Sequence, residues 1–338
     1  MSDGRGAAPG LRQVAALAGV SHQTVSRVIN GHEGVRPATR ERVLRAIEEL
    51  NYRPNSAARA LATKRSSRIG VVVDSAIKFG PNATLRAVEE SAREVGYAVS
   101  SVTVAEDRTL SARSAVDHLL SQGIDALCII APRASSVDLL ETHAGRLPTL
   151  AVTSARDLGM LTASVDQRRG AELAVEHLVA VGHSAILHLA GPLDWLDARG
   201  RERGWRAALE AADIDARPPG LGDWTADSGF AYARDEFDPR DGTAIFCAND
   251  QMALGVLHGL SVRGIRVPDD VSIVGFDDLP EARHFRPALT TVRQDFETLG
   301  LRAVETLIAA VEGGSPAQRT VIEPELIVRE STSEPPQF

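Results

Sequence analysis

The sequence contains few cysteines and no long apolar run. Its two cysteines, Cys128 and Cys247, lie in short apolar stretches without a metal-ligand spacing, which indicates core residues of a cytoplasmic protein. Since no run of about 18 apolar residues occurs, no membrane-spanning helix is predicted. Residues 1–10 contain no apolar signal region, so we expect neither secretion nor an ordered structure for them.

Motifs of common enzyme classes are also missing. The sequence has no phosphate-binding P-loop, no dinucleotide fingerprint after a predicted strand and no Gly-x-Ser-x-Gly nucleophile turn. The string Gly4-Arg5-Gly6 has no strand before it, and the adjacent acids Asp277 and Asp278 have no companion cluster of metal ligands. We therefore expect a protein that is not an enzyme, with no catalytic residue, no cofactor and no metal.

Charge is divided unevenly along the chain. Residues 1–68 hold twelve Arg and Lys against five Asp and Glu, whereas the remaining residues hold 25 basic and 40 acidic side chains. A basic head on an acidic body is typical of a DNA-binding module attached to a sensing or assembly body. An exposed basic surface without a partner is the alternative.

Residues 11–30, LRQVAALAGVSHQTVSRVIN, have the pattern of a helix-turn-helix. Gly19 interrupts a first helical run, and Ser21 is suited to cap a second helix. The apolar positions with helical spacing are Leu11, Val14, Ala15, Ala18, Val25, Val28 and Ile29. Taken alone, the stretch is equally consistent with an ordinary helical hairpin.

The second of these helices has a polar face that carries His22, Gln23, Ser26 and Arg27. Arg can bind guanine O6 and N7, and Gln can bind adenine N6 and N7. This face therefore suits a DNA major groove.

A third helix and a hinge are predicted next. Pro37 suits the first turn of a helix that runs to about Leu50. The Ala-rich segment 55–62 is too short to be stable alone, since isolated helices below about 12 residues are marginal in water, so we expect it to be helical only when docked. The basic residues 63–68 are predicted to be a linker. Val20 and the side chains Val43, Ile47, Leu50 and Tyr52 are expected to complete the small core.

From Ile69 onward, apolar β-branched runs alternate with amphipathic helices, which indicates buried parallel sheets. Because the strands are too many for one compact sheet, we expect two subdomains. Ligands bind beyond the carboxyl ends of such strands. The predicted strands are 69–74, 97–104, 125–131, 147–153, 161–166, 184–190, 243–248 and 271–277, and the predicted helices are 82–95, 110–122, 167–181, 199–212, 249–263 and 295–311.

Over essentially its full length the chain resembles transcription regulators of the LacI/GalR family, and most of all the lactose-repressor branch. The motifs that carry the resemblance are VAALAGVSHQTVSRVIN, TRERVLRAIEELNYRPNSAARALAT, EHLVAVGHSAILHLAGP, GDWTADSGF, FCANDQMALG, DVSIVGFDD and PALTTVRQDFETLG, in the order that the family uses.

The resemblance implies an all-α helix-turn-helix headpiece and an α/β core of the type-I periplasmic-binding-protein kind, with two doubly wound subdomains. The expected divisions are a disordered N-terminus at 1–10, a headpiece at 11–53, a hinge helix and linker at 54–68, a core at 69–330 and a flexible tail at 331–338. Within the core, the N-subdomain is expected at 69–165 and 294–312, and the C-subdomain at 166–293 and 318–330.

The resemblance also implies a homodimer on a palindromic double-stranded DNA operator and a small-molecule effector, expected to be a sugar. The chain ends at STSEPPQF without a Leu-heptad tail, which favours a dimer over a tetramer. In the headpiece, His22, Gln23 and Arg27 match base-reading positions, and the positions around the DNA backbone are Ser21, Thr24, Ser26 and Asn30. In the hinge, Leu61 matches a leucine that wedges into the minor groove, with Ala58 one turn earlier and Asn55 at the start of the segment.

The effector site implied by the resemblance includes Arg201, Trp224, Asn249 and Asp277. An Arg and a carboxylate can each bridge neighbouring hydroxyls, and a Trp offers a flat apolar face to a sugar ring. A structural ion pair between Arg201 and Asp277 is the alternative. The further expected site residues are Asp74, Thr153, Asp197 and Phe296.

Several positions depart from the family pattern. Gly10 and Gln13 stand where the first helix usually opens with Thr and Asp, so a weaker helix start is expected. The departures in the N-terminal half of the effector site are Asp74, Lys78, Ile130, Thr153 and Asp197. The identity of the sugar therefore cannot be copied from the relatives.

Three other functions compete with a repressor that a sugar releases. A ligand that tightens DNA binding would make the protein a corepressor-activated regulator. A transport-type sugar-binding protein shares the core fold, but the basic headpiece and missing signal segment argue against it. A doubly wound enzyme has no supporting motif.

Overall fold

The computed structural model describes residues 10–29, 34–52, 65–75, 78–104, 109–133, 147–155 and 158–336, without the side chains of 109–112. The chain divides into two compact units, residues 1–66 and 67–338. The predictions for the hinge helix and for Asn30, Asn55, Ala58 and Leu61 lie outside the described residues.

The first unit contains three helices, α1 (Leu11–Ala18), α2 (His22–Ile29) and α3 (Pro37–Glu49). Gly19 ends α1 in the left-handed region at φ 62°, which a residue without a Cβ adopts at little cost. The predicted small core is confirmed. Its members are Val14, Ala15, Ala18, Val25, Val28, Val43, Ala46 and Tyr52, with Leu11, Val20, Ile29, Val35, Ile47 and Leu50 packed against them.

The starts of α1 and α2 are capped by different means. Gln13 accepts a hydrogen bond from the Gly10 backbone N at 2.7 Å, so the glutamine replaces part of the missing cap of α1. Ser21 Oγ accepts from the Thr24 backbone N at 3.1 Å, which confirms Ser21 as the cap of α2.

The first sheet of the second unit is parallel throughout. Its strands are β1 (Arg68–Asp74), β2 (Ala98–Val104), β3 (Ala126–Ile130), β4 (Thr149–Val152), β5 (Leu161–Val165) and β11 (Arg319–Ile322). The strand order is β11-β5-β4-β3-β1-β2. Helices α4 (Phe79–Glu94) and α10 (Phe296–Val311) pack on one cluster of strand side chains from this sheet, and α5 (Thr109–Ser121) packs on another.

The strands of the second sheet are β6 (Ile186–Ala190), β7 (Gly220–Leu221), β8 (Ala244–Cys247), β9 (Ser272–Asp277), β10 (Thr290–Arg293) and β12 (Glu325–Ile327). Their order is β12-β10-β9-β8-β6-β7, with only β12 antiparallel to its neighbour among these strands. The helices are α6 (Gln167–Val181), α7 (Leu196–Ala211), α8 (Ala226–Ala231, continued by a π-helix to Glu236) and α9 (Asp250–Val262), and a 3₁₀ turn spans Ala282–His284. Helices α6 and α7 pack on one cluster of side chains, and α8 and α9 pack on another.

The chain passes from one sheet to the other between β5 and α6, between β10 and α10, and between β11 and β12. Two expected boundaries are wrong. The segment 318–330 was expected in the C-subdomain, but β11 pairs with β5 of the first sheet and only β12 joins the second. The tail was expected to be flexible from residue 331, yet Ser331 is fully buried and donates to the Ile273 carbonyl at 2.6 Å.

All eight predicted strands are present, and the expected division into two sheets is confirmed. Within the part of the chain that the structure describes, no helix is both long and apolar enough to cross a membrane.

Candidate functional site

The polar face of α2 is accessible. His22, Gln23 and Arg27 are exposed, whereas Val25 and Val28 on the opposite face are buried in the small core. The helix therefore presents hydrogen-bonding side chains outward, as a groove-reading helix requires.

The hydroxyl groups at the start of α2 are already ordered. Ser21 Oγ lies 3.0 Å from Thr24 Oγ1, in addition to capping the helix. Ser21 is exposed, and Thr24 and Ser26 are partly buried. The first turn of a helix also has unpaired backbone N–H groups, which attract anions such as phosphate.

A cleft opens between the two sheets of the second unit, at the carboxyl ends of several strands. Ligands of doubly wound sheets bind at such strand ends. The predicted effector residues that line the cleft are Thr153, Asp197, Arg201, Trp224, Asn249, Asp277 and Phe296.

Arg201, on α7, is the buried cation of the cleft. Its Nε donates to Gln167 Oε1 at 2.8 Å, and its Nη1 donates to the carbonyl of Ala248. The guanidinium carbon lies 3.9 Å from the ring centroid of Phe276 and 5.5 Å from that of Trp224. Burial lowers the pKa of Arg201, and the neighbouring carboxylates oppose that shift.

Asp277, at the end of β9, is the matching buried anion. Its Oδ1 lies 3.6 Å from Arg201 Nη2, which is within ion-pair range but too long for a hydrogen bond. Burial raises the pKa of Asp277 to about 6, although Arg201 acts in the opposite direction. The expected alternative of an ion pair is thus present in a loose form that leaves polar atoms of both residues for a ligand.

Two glutamines connect these charges. Gln167 Nε2 donates to Gln294 Oε1 at 2.7 Å, and Gln294 Nε2 donates to Asp277 Oδ1 at 2.7 Å. Together with the Arg201 contacts, the bonds close a loop that we call the polar ring, formed by Arg201, Gln167, Gln294 and Asp277. All four side chains are buried.

Trp224 has an unusual position in the cleft wall. Its backbone lies at φ 73°, and the Asn249 side chain donates to its carbonyl at 3.2 Å. Its indole Nε1 is buried and has no hydrogen-bond partner in the described structure, which is costly unless a ligand supplies an acceptor. A Cβ at Gly191 would overlap the Trp224 ring, so the glycine makes room for it. Trp195 meets the ring edge-on, with centroids 5.4 Å apart.

Asn249 is more constrained than expected. Its Oδ1 caps α9 by accepting from the Met252 backbone N at 2.8 Å, while its Nδ2 donates to Trp224. Asn249 lines the cleft, but both its amide oxygen and its amide nitrogen are already hydrogen-bonded to the backbone of the cleft wall.

Several contacts join the two sides of the cleft. Ser154, after β4, donates to Asp197, at the start of α7. Lys78 Nζ donates to the Asp223 carbonyl at 3.0 Å. Burial raises the pKa of Asp197, and Arg201 and Ser154 oppose the shift. The cleft wall thus includes two cations, Lys78 and Arg201, and two carboxylates, those of the partly buried Asp197 and the buried Asp277.

Asp74 is not among the residues that line the cleft, so its place in the effector site stays a prediction. Both of its carboxylate oxygens are bound by Arg133, at 2.9 and 2.6 Å, and Ser75 donates to it at 3.0 Å. A bidentate pair of this kind satisfies the carboxylate internally.

Thr153 and Phe296 lie on the first-sheet side of the cleft. Thr153 is buried, and its Oγ1 accepts from the Ala155 backbone N at 3.3 Å. Phe296, the first residue of α10, meets Phe79 edge-on with centroids 5.8 Å apart. An aromatic pair thus stands on each side of the cleft.

The other strand-end acids have structural partners. Asp250 is fully buried, accepts from the Leu279 backbone N at 2.8 Å and from Thr291 Oγ1 at 2.6 Å, and so holds the turn after β9. Asp278 accepts from Arg293 and Arg329. Among the described residues, no group of three His, Cys, Asp or Glu side chains could hold a metal ion.

Sequence reasoning missed Gln167, Gln294, Trp195 and Gly191. One signal was available: Gln167 directly follows the predicted strand 161–166, and Gly191 directly follows the predicted strand 184–190. The strand-end rule, applied to every predicted strand, would have found both. Gln294 follows β10, which the sequence did not predict.

Comparisons with known proteins agree with this geometry. "Bacterial regulatory proteins, lacI family" matches residues 10–55, and "Periplasmic binding protein-like domain" matches residues 175–332. The lactose operon repressor of Escherichia coli (strain K12) is 36% identical over 329 residues, which cover 96% of this chain and 91% of the relative. The transcriptional regulator CelR of Thermobifida fusca is 37% identical over 345 residues, covering 96% and 98%.

Solved structures are similar as well. The lac repressor dimer bound to operator and the anti-inducer ONPF matches with a TM-score of 0.84 at 35% identity, covering 97% of this chain and 100% of that one. A CelR–cellobiose complex matches with a TM-score of 0.71 at 33% identity, covering 96% and 99%.

Proposed function

The chain belongs to the LacI family of bacterial regulatory proteins, and we propose that it is a dimeric repressor that a small sugar releases from a palindromic operator. The observation that carries this proposal is the combination of an exposed polar face on α2 with a separate polar cleft in the second unit. The two sites give the chain one surface for DNA and one for a regulating ligand.

DNA reading is assigned to α2. Gln23 and Arg27 have the donor and acceptor groups that distinguish base pairs in the major groove, with His22 beside them. Ser21, Thr24 and Ser26 have hydroxyls suited to the phosphate backbone. Asn30, together with Asn55, Ala58 and Leu61 of the hinge, is assigned to DNA by resemblance to the family.

Effector binding is assigned to the cleft. Arg201 Nη2 and the Asp277 carboxylate can each engage ring hydroxyls, and Trp224 can cover the apolar face of a sugar. The relatives named above include a lactose operon repressor and a structure of CelR with cellobiose, which favours a sugar over other small molecules. Thr153, Asp197, Asn249 and Phe296 complete the proposed site.

Release is proposed to follow from a shift between the two sheets. A ligand that binds one arrangement of the cleft more tightly moves the equilibrium toward it. Because three short segments connect the sheets, such a shift changes the position of the first sheet relative to the second. The hinge and headpiece directly precede β1 of the first sheet in sequence, so they are affected by this shift. Less favourable folding of the hinge segment 55–62 would then weaken operator binding. Acting on bacterial DNA, the protein would work in the cytoplasm.

The test is operator binding by fluorescence anisotropy. Palindromic fragments from the protein's own promoter region are compared with scrambled DNA at one fixed salt concentration, because protein–DNA affinity depends steeply on salt. Cellobiose, lactose and simple monosaccharides are then added to the complex. Specific binding that one sugar reverses is the expected result.

A matched variant tests the reading helix in the same assay. Gln23→Ala should lower affinity for the operator by about tenfold or more while leaving binding to scrambled DNA unchanged. If a sugar added to the wild-type complex instead strengthens operator binding, the sugar is a corepressor. Equal affinity for all DNA fragments would contradict the repressor function.

A further inference from the structure

The polar ring has only one possible direction of hydrogen bonding. An Arg side chain only donates and an ionised carboxylate only accepts, so the two amides between them must each accept from one side and donate to the other. Gln167 accordingly accepts from Arg201 and donates to Gln294, which donates to Asp277. The ring therefore fixes how both amides are oriented.

The ring also determines which charged atoms stay available. Arg201 uses Nε for Gln167 and Nη1 for the Ala248 carbonyl, which leaves Nη2. Asp277 accepts from Gln294 through Oδ1, and its Oδ2 takes no hydrogen bond from the described residues. Because both residues line the cleft, Nη2 and Oδ2 are the atoms left for a ligand.

The two glutamines stand on the segments that connect the sheets. Gln167 follows Asp166, which caps α6 by accepting from the Arg169 backbone N at 3.0 Å. Gln294 precedes Asp295, which caps α10 by accepting from the Thr298 backbone N at 2.8 Å. Each connection thus joins a strand end, a helix cap and one member of the polar ring. A movement of Arg201 or Asp277 is therefore transmitted directly to two of the three connections.

From these contacts we propose that Gln167 and Gln294 are positioning residues, which orient Arg201 and Asp277 for the effector and couple them to the connections between the sheets. The inference rests on the proposed function for the nature of the ligand, but the ring itself is formed by contacts within the chain. Apolar side chains of similar size could fill the same space. They could not hold Arg201 and Asp277 3.6 Å apart with their outer atoms free.

The first experiment is a double-mutant cycle on the full chain without ligand. Gln294→Glu removes the donor to Asp277 and places two carboxylates together, so it should lower the unfolding midpoint in urea. Adding Asp277→Asn restores a donor, because the new amide at position 277 can donate to the new carboxylate at position 294, which still accepts from Gln167. The double variant should therefore be more stable than additivity predicts, by about tenfold in the unfolding equilibrium constant. Gln122→Glu is the matched control. Gln122 directly follows α5, which packs on the first sheet, and its side chain hydrogen-bonds His118 rather than a member of the polar ring.

The second experiment separates positioning from stability. Operator release is titrated with cellobiose and lactose, or with whichever sugar releases the wild type in the assay above. Gln294→Glu should raise the sugar concentration for half-release by about tenfold. For the double variant, this concentration should be at least about threefold lower than the product of the two single-variant effects predicts.

The outcomes are distinguishable. Additive unfolding effects would overturn the polar ring, whatever the sugars do. Coupled unfolding together with a wild-type sugar titration for Gln294→Glu would overturn the positioning role. Failure of the wild type to respond to any sugar would contradict the proposed effector and the positioning role with it, while the unfolding cycle would still decide whether the ring exists.

Discussion

Arg201 and Asp277 show how single residues in the cleft are kept charged and available. Only 4% of Arg201 and 7% of Asp277 is exposed, and burial of unpaired charges at this depth is costly. Three hydrogen bonds and the loose ion pair offset this cost. Arg201 donates to Gln167 and to the Ala248 carbonyl, and Asp277 accepts from Gln294. The carboxylate still has a raised pKa, so its charge opposes folding at neutral pH.

This raised pKa predicts a pH dependence. Since the pKa of Asp277 is about 6 in the folded chain against 3.8 ordinarily, the folded state takes up the proton first as pH falls. The contribution of Asp277 to stability is therefore fully present below about pH 4 and is lost as pH rises through about 6, by roughly 3 kcal/mol at most. Asp277→Asn should accordingly be more stable relative to wild type at pH 7.5 than at pH 4.5.

Urea unfolding of both proteins at the two pH values measures this difference. The charge of Asp277 also raises the pKa of Asp250, so its removal lowers that pKa and changes the difference in the same direction. A difference that stays constant with pH would mean that Asp277 titrates in the folded chain as it does in the unfolded one.

Gly191 supplies a second prediction for single residues. An Ala Cβ at this position would overlap the Trp224 ring and displace it, and overpacking of this kind costs about 1–3 kcal/mol. Gly191→Ala should therefore weaken sugar binding about tenfold or more. Intrinsic fluorescence reports it, since Trp195 and Trp224 both line the cleft.

Gly34→Ala is the control for this substitution, because a Cβ there would meet nothing within 4 Å and the residue lies in the other unit. Equal sugar affinity of Gly191→Ala and wild type would show that Trp224 does not shape the site.

The sequence was a partial guide to the site residues. Arg201, Trp224 and Asp277 were assigned through the resemblance to the family, their side-chain chemistry suits a sugar, and the structure brings them to one cleft. Gln167 and Gln294 were not predicted because an amide has no distinctive chemistry until its partners are known, and these two lie 127 residues apart in sequence. The pairing of Asp74 with Arg133 could not be predicted either, because the two lie 59 residues apart in sequence.

Among the elements, α2 depends on its cap. Ser21 Oγ holds the Thr24 backbone N at 3.1 Å, and loss of such a cap costs about 1 kcal/mol. Ser21→Ala should therefore speed amide hydrogen exchange in α2 about fivefold in the full chain.

Ser21→Asp separates the cap from the proposed phosphate contact. An Asp caps a helix as well as a Ser, so protection of α2 should stay at the wild-type level. Its negative charge would repel a nearby phosphate, so operator affinity in the anisotropy assay should fall. Wild-type operator affinity would place Ser21 away from the DNA backbone.

Strands within longer apolar runs were predicted well, and isolated short strands were not. Each of the eight predicted strands lies in an apolar run of the sequence, which is typical of parallel sheets, even where the strand itself has only four residues, as in β4 and β8. The strands β7, β10, β11 and β12 have only two to four residues each, too few for a periodicity. The assignment of 319–322 to the wrong subdomain follows from this, since an edge strand of four residues shows no preference for either sheet.

For the whole molecule, the proposed switch depends on the hinge. Leu61→Ala removes the side chain assigned to the minor groove, so operator affinity should fall by about tenfold or more. Sugar binding should be unchanged, because the cleft is built from residues of the other unit. Anisotropy and the fluorescence titration measure the two affinities.

Leu44→Ala is the matched control, since Leu44 is an exposed leucine of α3, with 53% of its surface accessible. If both variants bind the operator equally well, Leu61 has no special role in DNA binding.

The final strands of both sheets come from one short stretch of chain. β11 and β12 are separated by only two residues, and each lies at the edge of a different sheet. A ribosome makes the chain from its N-terminus, and domains fold as units during synthesis. The DNA-reading helix is therefore complete long before either sheet has its last strand. A nascent chain therefore folds its DNA-reading helix first, and it completes the two sheets that form the ligand cleft only after β11 and β12 have been made.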